Sequence, residues 1–367
     1  MKTKINYYYN QMLQKSFIVI FSTTFILTAF GQNSTRNRGQ YGIILGDPAT
    51  DIFNPNELDF YLRLYVQCNL IFEINVVEFF CGASLITPTR GVTAAHCLYG
   101  AVEAYACGGD QNCRKPADFP NSSNCRQITK YWINRGYADY FLLQLRDDIA
   151  VFELESRFEF KPIALWDFNR YPTQRTCESL MASNDFTDPS LLTVFGCGIS
   201  TVARDQQPQQ LLTSNQTILS QAFGRAVYSS GLLGVGNSFI YTQPSPLIGD
   251  KGRTCFGDSG GPVVKKIGTE FFLVGLVSFG NQNCSNVSGN TCVQSYLEFI
   301  KNPEINSYDN AQIEAQIVLV RQRLQNCFNP LAIFYLPYCI AFELYKRLLN
   351  LVVSTGVQCT GTLLLAV

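Results

Sequence analysis

The chain of 367 residues carries a single histidine, which stands in the run Thr93-Ala94-Ala95-His96-Cys97. Histidine is the side chain whose unperturbed pKa lets it both accept and return a proton near neutral pH. Two later segments hold the groups such a histidine works with: Asp148-Ile149-Ala150-Val151 and Gly257-Asp258-Ser259-Gly260-Gly261-Pro262. A serine hydroxyl is a poor nucleophile until a base removes its proton, and that base must be held in the right tautomer by a third group. Ser259, His96 and Asp148 supply one candidate for each role. Asp147 competes for the third, but only Asp148 opens the Ile-Ala-Val strand pattern. Gly257 and the Gly260-Gly261 pair let the backbone turn tightly around Ser259. The N–H groups of Gly257 and Ser259 are candidates to hold an oxyanion that develops in a transition state. A lone histidine elsewhere would more often be a structural residue; inside this run the catalytic reading prevails.

Groups so far apart in sequence need a framework to bring them together. From Ile43 to about Lys301 the chain shows short β-prone runs separated by turn residues. They include Phe60–Val66, Leu70–Phe80, Tyr140–Leu145, Ile149–Leu154, Leu192–Phe195 and Phe271–Phe279. This spacing predicts antiparallel barrels or a sandwich. Helical periodicity in this part is confined to Tyr296–Ile300. Residues 302–367 differ: Ile313, Ile317, Val320 and Leu324 recur at helical spacing, and Asn329-Pro330 breaks the pattern before a second apolar segment. This stretch reads as a partly helical, cysteine-containing extension whose stripe packs on the preceding domain.

Composition narrows the function classes. Lys plus Arg and Asp plus Glu are 28 each, so no net field steers the chain toward nucleic acid or anionic membranes. The hydrophobic fraction of 47% is ample for a core. Lys2, Lys4 and Lys15 precede an apolar run from Phe17 to Phe30, and Ala29 and Gly31 frame a small-residue cleavage pattern. Residues 1–31 therefore read as a secretory signal peptide cut after Gly31. The run is short for a bilayer span of roughly 20 residues, which argues against an anchor. Residues 32–42 are polar and read as a pro-segment. The 14 cysteines and the sequons at Asn33, Asn121, Asn215 and Asn286 fit a secreted, disulfide-bonded glycoprotein. One histidine and no Cys-x-x-Cys argue against a zinc site; neither metal nor cofactor is expected.

Taken together, the motifs resemble those of the chymotrypsin/trypsin-like serine protease family. Cys81-Gly82-Ala83-Ser84-Leu85-Ile86 followed by Thr93-Ala94-Ala95-His96-Cys97 resembles its histidine region. The Asp148 run resembles its aspartate strand, and Gly257 to Pro262 its serine loop. Ser278-Phe279-Gly280 resembles the segment that binds the substrate backbone. The resemblance covers residues 43 to about 301 and marks them as a protease domain. It implies an all-β fold of two six-stranded antiparallel barrels, with His96 and Asp148 from the first and Ser259 from the second. It implies a secreted serine endopeptidase that acts on protein or peptide substrates through an acyl-enzyme. An activating protease and protein inhibitors are the implied partners. It further implies the bridges Cys81–Cys97 and Cys255–Cys284, while the pairing of the other ten cysteines cannot be deduced.

Ile43-Ile44-Leu45-Gly46 resembles the start of the mature enzyme, where cleavage would free an ammonium to pair with Asp258. Gly42, however, stands where a basic residue is usual, and the nearest basic residue is Arg38. Arg253, six residues before Ser259, stands where Lys/Arg-specific members hold Asp. A permanently charged guanidinium there repels basic substrates. The options left are an acidic residue before the scissile bond, or an apolar one with Arg253 turned aside toward Asp250 or water. Gly280 suggests an open pocket wall. Cys197 and Phe279 each stand where the family commonly has Trp. A non-catalytic binding protein on the same fold is the competing class, and an esterase-like hydrolase a third; the intact triad argues against the former.

Overall fold

Alternation along the strands sets the curl of the sheets. In Tyr61–Asn69, Leu62, Leu64 and Val66 face one side with no exposure, while Tyr61, Arg63 and Tyr65 face the other and are also buried. A strand covered on both faces must sit between a barrel interior and a neighbouring layer. The computed structural model describes residues 43–69, 76–137, 144–166, 192–198, 208–228, 234–246, 248–280, 284, 286–313 and 315. The signal-peptide and pro-segment expectations, with Asn33, lie outside the described residues, as do Ile317, Val320 and Leu324.

The fold is two closed six-stranded antiparallel barrels. The first is built from β1 (Tyr61–Asn69), β2 (Val76–Thr87), β3 (Arg90–Thr93), β4 (Ala101–Cys107), β5 (Cys125–Asn134) and β6 (Ala150–Leu154). They pair in the order β5-β4-β1-β2-β3-β6, and β6 returns to β5 through Tyr131↔Phe152 and Trp132↔Val151. The second comprises β7 (Leu192–Gly196), β8 (Leu212–Leu219), β9 (Phe239–Pro244), β10 (Pro262–Ile267), β11 (Glu270–Gly280) and β12 (Ser288–Cys292). Its order is β8-β7-β10-β11-β12-β9, closed by Ile218↔Thr242 and its neighbours. Register shifts at Gln67/Cys68, Ile128/Lys130 and Val277/Phe279 supply the local bends that closure needs. The sandwich alternative is thereby excluded. The strands expected around 60–66, 149–154, 192–195 and 271–279 are found with shifted ends, and of the 70–80 run only 76–80 are described, at the start of β2. Of the 140–145 run only Gln144–Leu145 is described, in parallel pairing with Gly234–Val235.

Each barrel has its own filling, and an aromatic layer joins them. Leu62, Leu64, Ala83, Leu85, Ala106 and Phe152 pack inside the first; Val194, Ile240, Val263 and Val274 inside the second. Phe60, ahead of β1, meets Phe195 of β7 edge-to-face at 5.9 Å, and Phe195 meets Phe271 of β11 at 5.9 Å. Such pairs add roughly 0.5–1.5 kcal/mol each beyond the area they bury. Helices among the described residues are short and include α1 (Ala95–Leu98), α2 (Gln221–Tyr228) and α3 (Leu297–Lys301). The last falls where the sequence shows helical periodicity.

The start of the extension is woven into the first barrel. Residues Ser307–Asp309 form a strand, β13, antiparallel to β5, with Ser307↔Asn134 and Tyr308↔Ile133. Arg135 donates to the Ser307 carbonyl at 3.3 Å and lies 5.1 Å from the Tyr308 ring centroid. Ile313 has no exposure and belongs to the first barrel's core. Ile313→Ala is expected to cost about 2–5 kcal/mol of unfolding free energy. A denaturant midpoint equal to the parent's would place Ile313 outside that core.

Candidate active site

His96 sits on α1, a single turn of apolar residues that cannot leave the core: Ala94, Ala95, Cys97 and Leu98 are all buried. Cys97 is joined to Cys81 of β2 by a disulfide, and Thr93 Oγ1 donates to the Gly82 carbonyl at 2.8 Å. The turn therefore presents the imidazole at a fixed place. The backbone N–H of His96 donates to Asp148 Oδ1 at 3.0 Å, and its Nδ1 lies 2.7 Å from Oδ2. A carboxylate only accepts, so Nδ1 carries the proton and Nε2 is the basic nitrogen. Among the described residues Nε2 is buried and has no hydrogen-bond partner.

Asp148 is 4% exposed, a costly place for a charge unless it is well bonded. Its Oδ2 also accepts from Ser278 Oγ, and its carbonyl accepts from Thr291 Oγ1 at 2.8 Å. Burial pushes its pKa up, but electrostatic attraction to the His96 ring and the hydrogen bonds from His96 and Ser278 outweigh this. The carboxyl lies below its ordinary value. Its neighbour Asp147 has φ 52° and accepts from Tyr296 Oη at 2.6 Å. The structure thus puts Asp148, not Asp147, on the imidazole.

The Ser259 loop meets β2 and the side chain of Cys97 on α1 through its own backbone. The Ser259 carbonyl accepts from Gly82 N–H at 2.7 Å and lies 3.7 Å from Cys97 Sγ. Gly260 makes this approach possible. Its φ is +75°, and a Cβ there would lie 2.0 Å from Thr93 Oγ1 and 2.5 Å from the Gly82 carbonyl. Gly257 has φ +90°, a conformation that only glycine adopts at little cost. Bonds on either side fix the loop: Asp258 N–H to Cys255 O at 3.1 Å, Gly260 N–H to Val277 O at 2.7 Å and Gly261 N–H to Asp258 O at 2.9 Å. Cys255 and Cys284 are joined in a disulfide. Ser259 is 8% exposed.

Asp258 is fully buried. Gly198 N–H donates to its Oδ1 and Cys255 N–H to its Oδ2, each at 2.9 Å. Burial dominates these two bonds and pushes its pKa up to about 7. Ile43 is also fully buried, and Ile44 exchanges both backbone bonds with Arg253, at 2.9 and 3.0 Å. Arg253 is half-buried. Of the options for Arg253, a turn toward Asp250 is not made. Asp250 instead accepts from Ser214 Oγ at 3.0 Å and from the N–H groups of Asn215 and Gly252 at 2.7 Å each.

Phe279 packs edge-on against Tyr228 and Phe239, at 5.0 and 4.9 Å. A Cβ on Gly289 would lie 2.2 Å from its ring, while Gly280 is open. Ser278, assigned from sequence to substrate binding, directs its hydroxyl to Asp148. Of the sequons, Asn121 and Asn286 are exposed; Asn215 lies in β8 with its Oδ1 accepting from Thr193. Cys81, His96 and Cys97 cluster closely enough for a metal, but both sulfurs are held in a disulfide. Sequence reasoning missed Thr291, Tyr296 and the Ser278 hydroxyl as supports of the acidic pair. None has a local signal; each is brought there only by barrel closure.

The family model described as Trypsin matches residues 56–300. The chain belongs to this family of serine proteases. The match begins after Ile43 to Pro48. A chymotrypsin from Phaedon cochleariae is 28% identical over 260 residues, covering 70% of this chain and 83% of that protein. A trypsin from the same organism is 27% identical over 247 residues, covering 65% and 78%. The solved structure of HL collagenase superposes with a TM-score of 0.53 at 22% identity, covering 71% of this chain and 98% of that one. At that identity the likeness speaks for the fold.

Proposed function

We propose that this Trypsin-family chain is a catalytically competent, secreted serine endopeptidase made as a zymogen. One observation carries the reading: His96 donates a hydrogen bond from Nδ1–H to buried Asp148 and keeps Nε2 free of other bonds, beside a loop that holds Ser259 against the same turn. His96 Nε2 takes the Ser259 Oγ proton as Oγ attacks the peptide carbonyl. The Gly257 and Ser259 N–H groups hold the oxyanion. The imidazolium then gives its proton to the leaving amine, and water repeats the sequence to release the acyl group. Fluorophosphonate labelling before and after limited proteolysis tests this. Label that requires processing and vanishes in Ser259→Ala is expected; no label in any processed form sinks the proposal. The N-terminal segment and the disulfides support secretion, and exposure favours Asn121 and Asn286 as glycan sites.

Processing before Ile43, a fully buried residue, would free an ammonium that this reading pairs with buried Asp258. Until then Asp258 titrates at about 7, above its unfolded value. A raised carboxyl favours folding fully below about pH 4, and this contribution is lost as pH rises toward 7. The span corresponds to about 4 kcal/mol. Uncut chain should therefore lose stability between pH 4 and 7 while processed chain loses much less. Denaturation midpoints against pH, with uncut Asp258→Asn as the flat reference, check this; identical curves for cut and uncut chain would count against processing at Ile43.

Arg253 has no ion pair among the described residues, which supports the reading that its charge disfavours basic substrates. Like charges about 4 Å apart at an effective dielectric near 20 repel by about 4 kcal/mol. Peptides with Arg or Lys before the scissile bond should be cleaved at least about a hundredfold more slowly than the best acidic or apolar ones. Preferred cleavage after Arg or Lys by pure enzyme would refute this.

A further inference from the structure

Two backbone segments hand an N–H to the buried Asp258 carboxylate, and a disulfide ties down each. Cys255 donates its own N–H and is bridged to Cys284. Gly198 is the other donor, and it follows Cys197, which is bridged to Cys113. The second bridge joins the two barrels. Cys113 lies in the excursion between β4 and β5 of the first, and Cys197 follows β7 of the second. The excursion reaches across at further points: Cys113 N–H donates to Gln209 O at 3.0 Å, and Leu211 N–H to Gln111 O at 2.7 Å. From the same side, Tyr61 of β1 lays its hydroxyl against this corner and accepts the Cys197 N–H at 3.1 Å. Gly198 has no slack, since a Cβ there would lie 2.6 Å from Phe256 O and 2.8 Å from Asp258 N. The Cys197-Gly198 corner is thus gripped by the first barrel on one side and grips Asp258 on the other. Asp258 sits between Gly257 and Ser259, so a shift of its carboxylate turns the peptide planes of both.

We infer that Tyr61 and the Cys113–Cys197 bridge are positioning elements for the reaction: through Gly198 they fix Asp258, and with it the direction of the Gly257 and Ser259 N–H groups. This rests on the catalytic reading of the site above. Neither element touches substrate. A bridge that served stability alone would change the folded fraction and leave the turnover of folded molecules intact. A positioning element lowers kcat with KM nearly kept, because those N–H groups meet a charge that exists only in the transition state.

The experiment compares full-length, identically processed chains: Tyr61→Phe, the double variant Cys113→Ser/Cys197→Ser, and the control Cys107→Ser/Cys125→Ser. The control removes a bridge that closes the same excursion and leaves Cys197 alone. Turnover of a peptide p-nitroanilide is measured well below each variant's melting temperature, with hydrogen exchange followed over residues 255–261. In the first two variants kcat is expected to fall about tenfold or more with KM within about twofold, and the loop to exchange faster. The control keeps kcat within about twofold. Parent-like kcat in both test variants, or an equal fall in the control, overturns the inference. Should the parent neither hydrolyse nor take a fluorophosphonate, the catalytic reading falls. Hydrogen exchange then still decides: faster loop exchange in the two test variants alone supports the positioning role, and unchanged exchange refutes it.

Discussion

Ser259→Ala is expected to lower kcat by on the order of 10⁶, His96→Ala by about as much, and the pair by little more than either alone. The non-additivity is the diagnostic part. Nε2 is useful only if there is a hydroxyl to deprotonate, and Oγ is useful only if Nε2 takes its proton. Removing either group therefore removes the whole step. What survives is whatever the Gly257 and Ser259 N–H groups and substrate binding supply by themselves. KM should stay near the parent's, since neither side chain is required to hold the peptide. Stability should also stay near the parent's for Ser259→Ala. The loop is held by backbone bonds with Gly82, Val277 and Cys255, which the substitution leaves in place. Steady-state kinetics on active-site-titrated protein, with melting temperatures alongside, check all three statements. A Ser259→Ala variant with residual kcat above about one hundredth of the parent's would remove Ser259 from the chemistry.

How much of this was legible before the fold was known follows from the range of each interaction. The short strands were legible because period-two burial and turn residues are local properties of the chain. Closure of six strands, as against a sandwich, came only from the family resemblance, because it depends on which edges meet. The strand pairings Tyr131↔Phe152 and Ile218↔Thr242 join residues with no mutual signal. Residues 307–309 show the same limit from the other side. Ile313 marks a helical stripe in the sequence and lies in a helical turn at 310–313, yet residues 307–309 ahead of that turn are drawn into a strand along the edge of β5.

At the site, the residues with a distinctive local motif were legible as candidates: His96, Asp148, Ser259 and the glycines around it. Their supports were not. Thr291 and Ser278 reach Asp148 from β12 and β11 of the second barrel, and Tyr61 reaches Cys197 from the first. A threonine or tyrosine in a strand looks the same whether its hydroxyl faces solvent or a catalytic carboxylate. The Cys113–Cys197 bridge was open for a different reason: cysteine pairing is a three-dimensional fact. Arg253 shows a partial reading. Its charge was visible in the sequence, whereas the engagement of Asp250 by Ser214, Asn215 and Gly252 arises only in the folded chain.

Asp148→Asn should lower kcat by about 10⁴ while leaving the fold intact. The carboxylate accepts three bonds: from the His96 backbone N–H, from Nδ1–H and from Ser278 Oγ. An amide has one accepting oxygen and one donating nitrogen. If its oxygen stays on Nδ1, its NH₂ confronts the backbone N–H of His96, donor against donor. If it flips, the NH₂ faces Nδ1, the ring must carry its proton on Nε2, and the base is lost. The second arrangement keeps all partners satisfied by letting the imidazole change tautomer, so it wins, and the variant is inert with its active site apparently in place. Asp147→Asn touches Tyr296 rather than the imidazole and should keep kcat within about threefold. Ser278→Ala removes one of the three donors and should fall between, at about tenfold. Acid denaturation provides an independent check. Asp148 is held below its ordinary value in the folded chain, so its stabilising contribution is present above about pH 4 and is lost as pH falls through the folded value. The Asn variant lacks that acid-sensitive component. A large loss of kcat in Asp147→Asn, with Asp148→Asn nearly as active as the parent, would exchange the roles of the two carboxylates and overturn the geometry on which the proposed catalysis rests.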